Sequence, residues 1–227
     1  MAELLEEMSG FFNARAEQYN TVHLEHVGGI ETKEIIATFL PEDTKTILDI
    51  GIGTGLELEG IYKRFPDAEV TGIDIAENML QILKKSYPYK KINLHCESYL
   101  EYDYENEYFD VALSVMTLHH YTHNVKTELY RKIFSSIKQG GVYIECDYML
   151  SEHEHESAQE MEEHYFSEYA RKKKEQGLAD DNEYHYDTPC TVTNQVKMLL
   201  EAGFTNVREM WRNGNAVLLV AEKSIQE

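Results

Sequence analysis

The sequence has few cysteines, few basic side chains for its acids, and no long apolar segment. Three of 227 residues are cysteine, far apart and odd in number, so we expect no disulfide framework and a reducing compartment. The 21 basic residues face 41 acidic ones, which gives a formal net charge of −20. Such a field repels phosphate backbones and anionic lipid surfaces. We therefore expect no nucleic-acid partner and no membrane partner.

Signals for a membrane span, for export and for repetition are absent as well. No stretch reaches the apolar length of a span, and the start MAELLEEMSG lacks the basic end and apolar run of a signal peptide. These absences predict a cytoplasmic location. We find no internal repeat and no low-complexity tract, and 227 residues suffice for one sizeable core.

Apolar runs of strand length alternate with helical patterns from residue 46 onwards. Strands are predicted at 46–50, 69–74, 91–95, 109–115 and 141–148, and helices at about 55–65, 76–86 and 124–138. Two final strands, TNVREMWR and NAVLLVAE, flank an Asn-Gly turn, which predicts an antiparallel hairpin. The fold class is therefore α/β, a doubly wound, mostly parallel seven-stranded sheet. Ligands bind such sheets at the carboxyl ends of the strands.

Two segments fall outside this alternation. Residues 1–40 predict two helices joined by a turn at Gly28 and Gly29 and stopped by Pro41. Residues 151–189 carry 12 acids and 4 bases, with apolar residues at helical spacing, which predicts an amphipathic helix that acts as a lid. The predicted domains are an N-terminal helical extension (1–43), a Rossmann-like core (44–150), the lid insertion (151–189) and the C-terminal part of the core (190–227).

The segment ILDIGIGTGLELEG, residues 47–60, joins the first strand to a helix through three glycines. A dinucleotide-binding turn needs a further glycine at the position of Leu56 for close approach of the pyrophosphate. Its absence favours a nucleotide-like ligand without phosphate. Asp74 ends the second strand, 23 residues after Gly51, where a carboxylate can accept hydrogen bonds from both ribose hydroxyls. The alternative is an N-cap for the helix that starts near Ala76.

Five features occur in a fixed order: the glycine loop after Asp49, the acid in VTGIDIAENML, the pair FD at 109–110, SVMTLHH, and the pair GG at 140–141. With this set the chain resembles the class I S-adenosylmethionine-dependent methyltransferases, in particular the small-molecule type with an N-terminal helical extension. The resemblance implies S-adenosyl-L-methionine as cofactor, S-adenosyl-L-homocysteine as product, and methyl transfer by in-line displacement to a small-molecule acceptor. The implied cofactor-binding residues are Asp49, Gly51, Gly53, Asp74, Ile75, Met79, Ser98 and Val115.

Several of these positions have a second interpretation. Asp49 can also pin the glycine loop through backbone hydrogen bonds, and Ile75 and Met79 can be ordinary helix-face residues. Ser98 stands where the family usually has an aspartate that contacts the adenine amino group.

Two residues are candidates for the chemistry. His119 follows the fourth strand, and an imidazole titrates in the range that a general base needs; the alternative is a histidine that holds loops together. By resemblance, Tyr19 closes over the cofactor, and its alternative is packing on the core. Glu145 and Asp147 share one face of the fifth strand, where an acid can orient the acceptor or serve as a structural ion-pair partner.

Rival interpretations stay open. The chain can be a methyltransferase of protein or RNA, a non-methylating relative such as a carboxylated-cofactor synthase, or a binding module. His153 and His155 differ by two residues and point to different sides of a helix, so we expect no metal. The acceptor atom and the oligomeric state remain open, with a homodimer as one option.

Overall fold

A seven-stranded sheet in the order β3-β2-β1-β4-β5-β7-β6 forms the centre of the protein. The structure, a computed structural model, describes residues 4–25, 33–152, 156–179 and 183–225. The strands are β1 (Thr46–Ile50), β2 (Glu69–Asp74), β3 (Ile92–Cys96), β4 (Phe109–Val115), β5 (Ile137–Tyr148), β6 (Thr205–Asn213) and β7 (Ala216–Glu222). β1 to β5 pair in parallel, and β7 pairs antiparallel with both β5 and β6. The predicted fold class is confirmed.

Helices cover both faces of this sheet. They are α1 (Met8–Glu25), α2 (Leu58–Arg64), α3 (Glu77–Ser86), α4 (His123–Ser136), α5 (Ala158–Gln176) and α6 (Val192–Ala202), with short 3-10 turns at Ile36–Phe39 and Leu118–His120. Within β1, Leu48 and Ile50 belong to the apolar core on one face, and Ile47 belongs to the core on the other. Two buried faces explain why this strand is apolar throughout.

The start of β5 differs from the prediction. We expected a helix to residue 138 and a strand from 141, but the helix ends at Ser136 and the strand begins at Ile137. The pairing of β4 and β5 shifts register between Phe109 and Val111, and Gly140 has a φ of +81°. The glycine pair therefore forms a β-bulge inside the strand. The sequence pattern had suggested a turn at these glycines, before the strand begins.

The N-terminal segment is helical, although its second part is short. After α1, the described chain has a helical turn at 33–35 that continues into the 3-10 turn and ends before Pro41. The predicted turn at Gly28 and Gly29 lies outside the described residues.

The insertion contains the long helix α5, as its apolar spacing predicted, with Ala158 and Glu162 buried. The chain then returns across the carboxyl ends of the strands. This return segment, residues 183–191, pairs with the N-terminal chain: Met8 N donates to Glu183 O at 2.9 Å, and His185 N donates to Glu6 O at 2.9 Å. Across the described ranges, no helix is both long and apolar enough to cross a membrane.

Candidate functional site

The glycine loop leaves β1 in a conformation that L side chains rarely adopt. Gly51 has a φ of +70°, and a Cβ at this position would lie 2.1 Å from Thr117 Oγ1. Gly53 has a φ of +52°, but the nearest atoms to its Cβ position are 3.9 Å away. Gly51 is therefore required by a neighbouring loop, whereas the space above Gly53 is open to a ligand.

Asp74 ties this loop to the end of β2. Its Oδ2 accepts a hydrogen bond from Gly53 N at 2.8 Å, and its Oδ1 accepts one from Ala76 N at 2.7 Å. Burial raises the pKa of Asp74 to about 6, although these two hydrogen bonds act to lower it. Each carboxylate oxygen can accept a second hydrogen bond, so Asp74 keeps capacity for ribose hydroxyls while it holds the turn.

The N-terminus of α3 is capped from two elements. Asn78 N, in the first turn of α3, donates to Asn13 Oδ1 of α1 at 2.8 Å, and Asn78 Nδ2 donates to Asn13 O at 3.1 Å. Asp74 Oδ1 accepts from the N–H of Ala76, the N-cap residue of α3. The capping role considered for Asp74 is therefore present beside its contact with the glycine loop, and the Asn13 contacts fix α1 against α3.

Two further acids lie beneath the loop. Asp49 and Glu57 are 1% and 6% exposed, and Asp49 Oδ2 and Glu57 Oε1 have no hydrogen-bond partner in the part of the chain that the structure describes. Burial raises the pKa of Glu57 to about 7, and burial together with the charge of Glu57 raises that of Asp49 well above its ordinary value. Unpartnered buried carboxyls are costly, and a ligand cation at this position would offset that cost.

Helix α1 crosses above the glycine loop. Thr54 Oγ1 donates a hydrogen bond to Asn20 Oδ1. Burial, followed by the charges of Asp74 and Glu57, raises the pKa of Tyr19, which places the phenol beside these acids. Met79 is buried with Ala16, and Tyr19 packs against the pair. The packing role considered for Met79 and Tyr19 is therefore present, and the closing role of Tyr19 stays a prediction.

His119 forms a hydrogen-bonded pair with Asp147. The Nδ1 of His119 is 2.5 Å from Asp147 Oδ1, and Leu118 N donates to Asp147 Oδ2 at 2.8 Å. The carboxylate thus orients the ring and favours the proton on Nδ1, which leaves Nε2 as the acceptor. Burial alone would lower the pKa of His119, but the charge of Asp147, its hydrogen bond and the charge of Asp187 raise it.

The return segment completes this side of the site. Asp187 Oδ1 is 3.7 Å from His119 Nε2 and 3.2 Å from His120 Nδ1, and Thr188 N donates to His119 O at 2.6 Å. Burial and the charge of His119 lower the pKa of His120 to about 4. The backbone carbonyl of His119 therefore holds the return segment. The ring is bonded to Asp147 through Nδ1 and faces Asp187 through Nε2.

Ser98 follows β3 and contacts the return segment. Its hydroxyl donates to one carboxylate oxygen of Glu183, and Tyr121 OH donates to the other. Leu100 N donates to Ser98 Oγ at 3.2 Å. Glu183 thus places a carboxylate beside Ser98 at the end of β3. Ile75 and Val115 lie half-buried near the ends of β2 and β4.

The two acids of β5 have separate surroundings. Glu145 is fully buried and accepts hydrogen bonds from Tyr130 OH at 3.0 Å and from Gln195 Nε2 at 2.9 Å. Glu145 is therefore enclosed by its own hydrogen bonds, whereas Asp147 bonds to His119 at the strand ends.

Sequence reasoning missed several residues of the site. Glu57 lies within the quoted glycine segment, and an acid two residues after Gly55 was an available signal. Glu183 and Asp187 carry no local signal, because the course of the insertion brings them to the strand ends. Ligand atoms of His119, His120 and Asp187 all lie within 4.8 Å of one another, whereas His153 and His155 lie outside the described residues.

Comparisons with known proteins agree with this geometry. Residues 47–141 match a family model described as "Methyltransferase domain". A carboxy-S-adenosyl-L-methionine synthase of Campylobacter hominis is 29% identical over 199 residues, 84% of this chain and 82% of that protein. A malonyl-[acyl-carrier protein] O-methyltransferase of Bacillus cereus is 29% identical over 135 residues, 60% of this chain and 46% of that protein.

A solved structure supports the fold. The crystal structure of human N-acetylserotonin methyltransferase in complex with S-adenosylmethionine superposes with a TM-score of 0.68 at 16% identity, covering 96% of this chain and 59% of that one. The chain thus spans less than two thirds of that solved protein. The resemblance noted from the sequence is confirmed by the domain match and by the fold.

Proposed function

We propose that this chain, which carries a methyltransferase domain and has the class I S-adenosylmethionine-dependent methyltransferase fold, methylates a small-molecule acceptor. The observation that carries the proposal is the arrangement of charges at the strand ends. Buried acids surround the glycine loop, and an oriented histidine lies on the other side of the same edge. A cationic methyl donor fits the buried acids, and an acceptor that must lose a proton fits the histidine.

The residues present fit the cofactor. Asp49 and Glu57, with their unpartnered oxygens, would pair with the ammonium of the cofactor's methionine part. The cofactor would lie against the backbone of the glycine loop in the open space above Gly53. Asp74 would accept from the ribose hydroxyls. Ser98 with Glu183 would meet the adenine amino group, with Ile75, Met79 and Val115 as apolar walls. When bound, the cofactor supplies a methyl group already activated by the sulfonium charge.

The chain's own residues would do three things. His119 would take a proton from the acceptor at Nε2, while Asp147 holds the ring and, with Asp187, stabilises the imidazolium that forms. Tyr19 and the rest of α1 would exclude water above the loop. The catalytic assignment of His119 and the closing role of Tyr19 rest on these positions.

A small acceptor is favoured over a macromolecule. Helix α1 and the return segment pair across the strand ends, and α5 packs next to them, so the acceptor side is covered by the chain itself. The net charge of −20 disfavours RNA. We keep the cytoplasm as the proposed location and leave the oligomeric state open.

A second candidate function is synthesis of a carboxylated cofactor, because a relative named carboxy-S-adenosyl-L-methionine synthase matches most of the chain. An added carboxylate near the sulfonium would enter a site that already contains Asp49, Glu57 and Asp74. It would need a cation to pair with, whereas the neighbouring charges that shift the pKa values of Asp49 and Glu57 are those of other acids. We therefore favour methyl transfer.

The deciding experiment follows the fate of the cofactor. Protein incubated with methyl-labelled S-adenosylmethionine and a cell extract should place label in the small-molecule fraction, and His119→Gln should slow transfer strongly while it still binds cofactor. Label in protein or RNA would contradict the small-acceptor proposal. Mass spectrometry of the bound cofactor tests the second candidate function. A mass increase that matches a carboxyl group would favour synthesis of a carboxylated cofactor.

A further inference from the structure

A second group of side chains, away from the glycine loop, has the composition of a metal site. His123 at the start of α4, Glu162 in α5 and Cys190 in the return segment bring one nitrogen, one oxygen and one sulfur within 4.8 Å of one another. They come from three segments far apart in sequence, so only the fold assembles them. No local pattern points to Glu162 or His123, and the three cysteines lie far apart in sequence.

The carboxylate is held in place by groups other than the histidine. Glu162 Oε2 accepts hydrogen bonds from Thr191 N at 2.9 Å and from Asn194 Nδ2 at 2.9 Å, while its Oε1 faces His123 Nε2. Glu162 is 2% exposed. Metal-binding carboxylates are commonly oriented by such outer hydrogen bonds, and here they leave one oxygen directed at the cluster.

The sulfur is also oriented. Cys190 is fully buried, its backbone oxygen accepts from Leu150 N at 2.9 Å, and Lys126 Nζ donates to its Sγ at 3.3 Å. Lys126 is itself 2% exposed and donates to Gln195 Oε1 at 3.2 Å. The Lys126 ammonium thus fixes the position of the sulfur inside the cluster.

The imidazole lies on the open side. The His123 side chain is 38% exposed, and Phe166 of α5 packs edge-on against its ring at 4.9 Å. Its Nε2 faces Glu162 Oε1, so the ring presents a nitrogen to the cluster from the solvent side. A dication therefore has an entry path from solvent.

We propose that His123, Glu162 and Cys190 form a zinc-binding site that fastens the lid helix α5 to the core. A mixed set of sulfur, nitrogen and oxygen ligands suits Zn²⁺ better than Mg²⁺ or Ca²⁺, which prefer oxygen alone. Zinc bonds are about 2.0–2.3 Å long, and the fold already brings the three ligand atoms within 4.8 Å of one another. A water on the exposed side of His123 completes a four-coordinate shell.

The test uses the full chain, purified, freed of any affinity tag and stripped of metal. Co²⁺ added as the probe should bind one equivalent and give a near-ultraviolet sulfur-to-cobalt charge-transfer band, which only a coordinating thiolate produces. Zn²⁺ should displace it. Elemental analysis of protein grown with zinc should find one zinc per chain.

Matched variants locate the site. Cys190→Ser should abolish the band, and Cys96→Ser, which changes an exposed cysteine, should leave it intact. Asp187→Asn should also leave it intact, because it alters the histidine cluster at the candidate active site instead. Asn194→Ala removes one outer hydrogen bond to Glu162 and should weaken zinc binding by about 10–100-fold.

Two results would overturn the proposal. One is a wild-type protein that takes up Co²⁺ without the charge-transfer band, and the other is a band that survives in Cys190→Ser. If Cys190→Ser does not fold, as judged by circular dichroism, Glu162→Gln gives the decision, since unchanged zinc affinity in that variant excludes the carboxylate as a ligand. None of these readouts depends on methyl transfer.

Discussion

At the scale of single residues, the pair of His119 and Asp147 carries the clearest chemical prediction. His119→Gln should lower kcat by about 10²–10⁴-fold, the usual contribution of a general base, with the cofactor Kd unchanged. Once an acceptor is known, steady-state kinetics and calorimetry measure the two quantities. A variant that loses cofactor binding and activity together would show that His119 serves the fold of the site instead.

The pH profile tests the same pair independently. A base must be neutral to accept a proton, so activity should rise with pH through a pKa above the ordinary value for histidine, as the charge of Asp147 dictates. Asp147→Asn removes that charge and should move the rise to lower pH while it lowers kcat, because the ring loses its orientation. Glu145→Gln does not serve as a control for Asp147→Asn, because Glu145 is buried and bonded to Tyr130 and Gln195, so its replacement would disturb the fold.

Asp74 carries the second prediction at this scale. Asp74→Asn should weaken S-adenosylmethionine binding by roughly 10–100-fold, since hydrogen bonds to a charged group contribute about 1.5–3 kcal/mol and one amide oxygen replaces two acceptors. Isothermal calorimetry provides the Kd. The exposed Asp67→Asn is the control, and equal affinity in the two variants would exclude Asp74 from ribose binding.

At the scale of elements, two hydrogen bonds between Asn13 and Asn78 join the N-terminal helix α1 to α3. Asn13→Ala removes the acceptor for Asn78 N and should lower the free energy of unfolding by about 1 kcal/mol, as the loss of a helix cap does. Since α1 carries Tyr19, cofactor affinity should fall as well. The exposed Gln18→Ala on the same helix should change neither thermal unfolding nor affinity, and an effect of equal size there would contradict the capping argument.

Sequence patterns predicted the elements better than the contacts between them. Apolar runs identified β1, β2 and β4, because a strand covered on both faces needs continuous apolar residues. The bulge at Gly140 was missed, since a glycine pair has the same local signature in a turn and in a bulge. Glu183 and Asp187 were missed for a different reason: their positions depend on the path of a whole segment, which no local pattern encodes.

At the scale of the whole molecule, raised pKa values at the cofactor site make stability depend on pH. Glu57 titrates at about 7 in the folded protein, against 4.5 ordinarily, and the pKa of His119 is raised above 6.5. Between about pH 6.5 and pH 8 the folded chain therefore binds more protons than the unfolded chain, so stability falls as pH rises. The lowered pKa of His120, about 4 against 6.5 ordinarily, acts in the opposite direction, chiefly between pH 4 and 6.5, where the unfolded chain protonates this ring and the folded chain does not.

Thermal unfolding of the cofactor-free protein should show this loss, and Glu57→Gln should reduce the slope, each unit of pKa shift corresponding to about 1.4 kcal/mol. The neighbouring Glu59→Gln is the matched control, because Glu59 is paired with Lys33 and Lys63 at the surface and its pKa is lowered to about 2. S-adenosylmethionine, a cation at these acids, should stabilise the protein more at pH 8 than at pH 6. Equal stabilisation at both values would mean that its charge is not paired with Glu57 and Asp49.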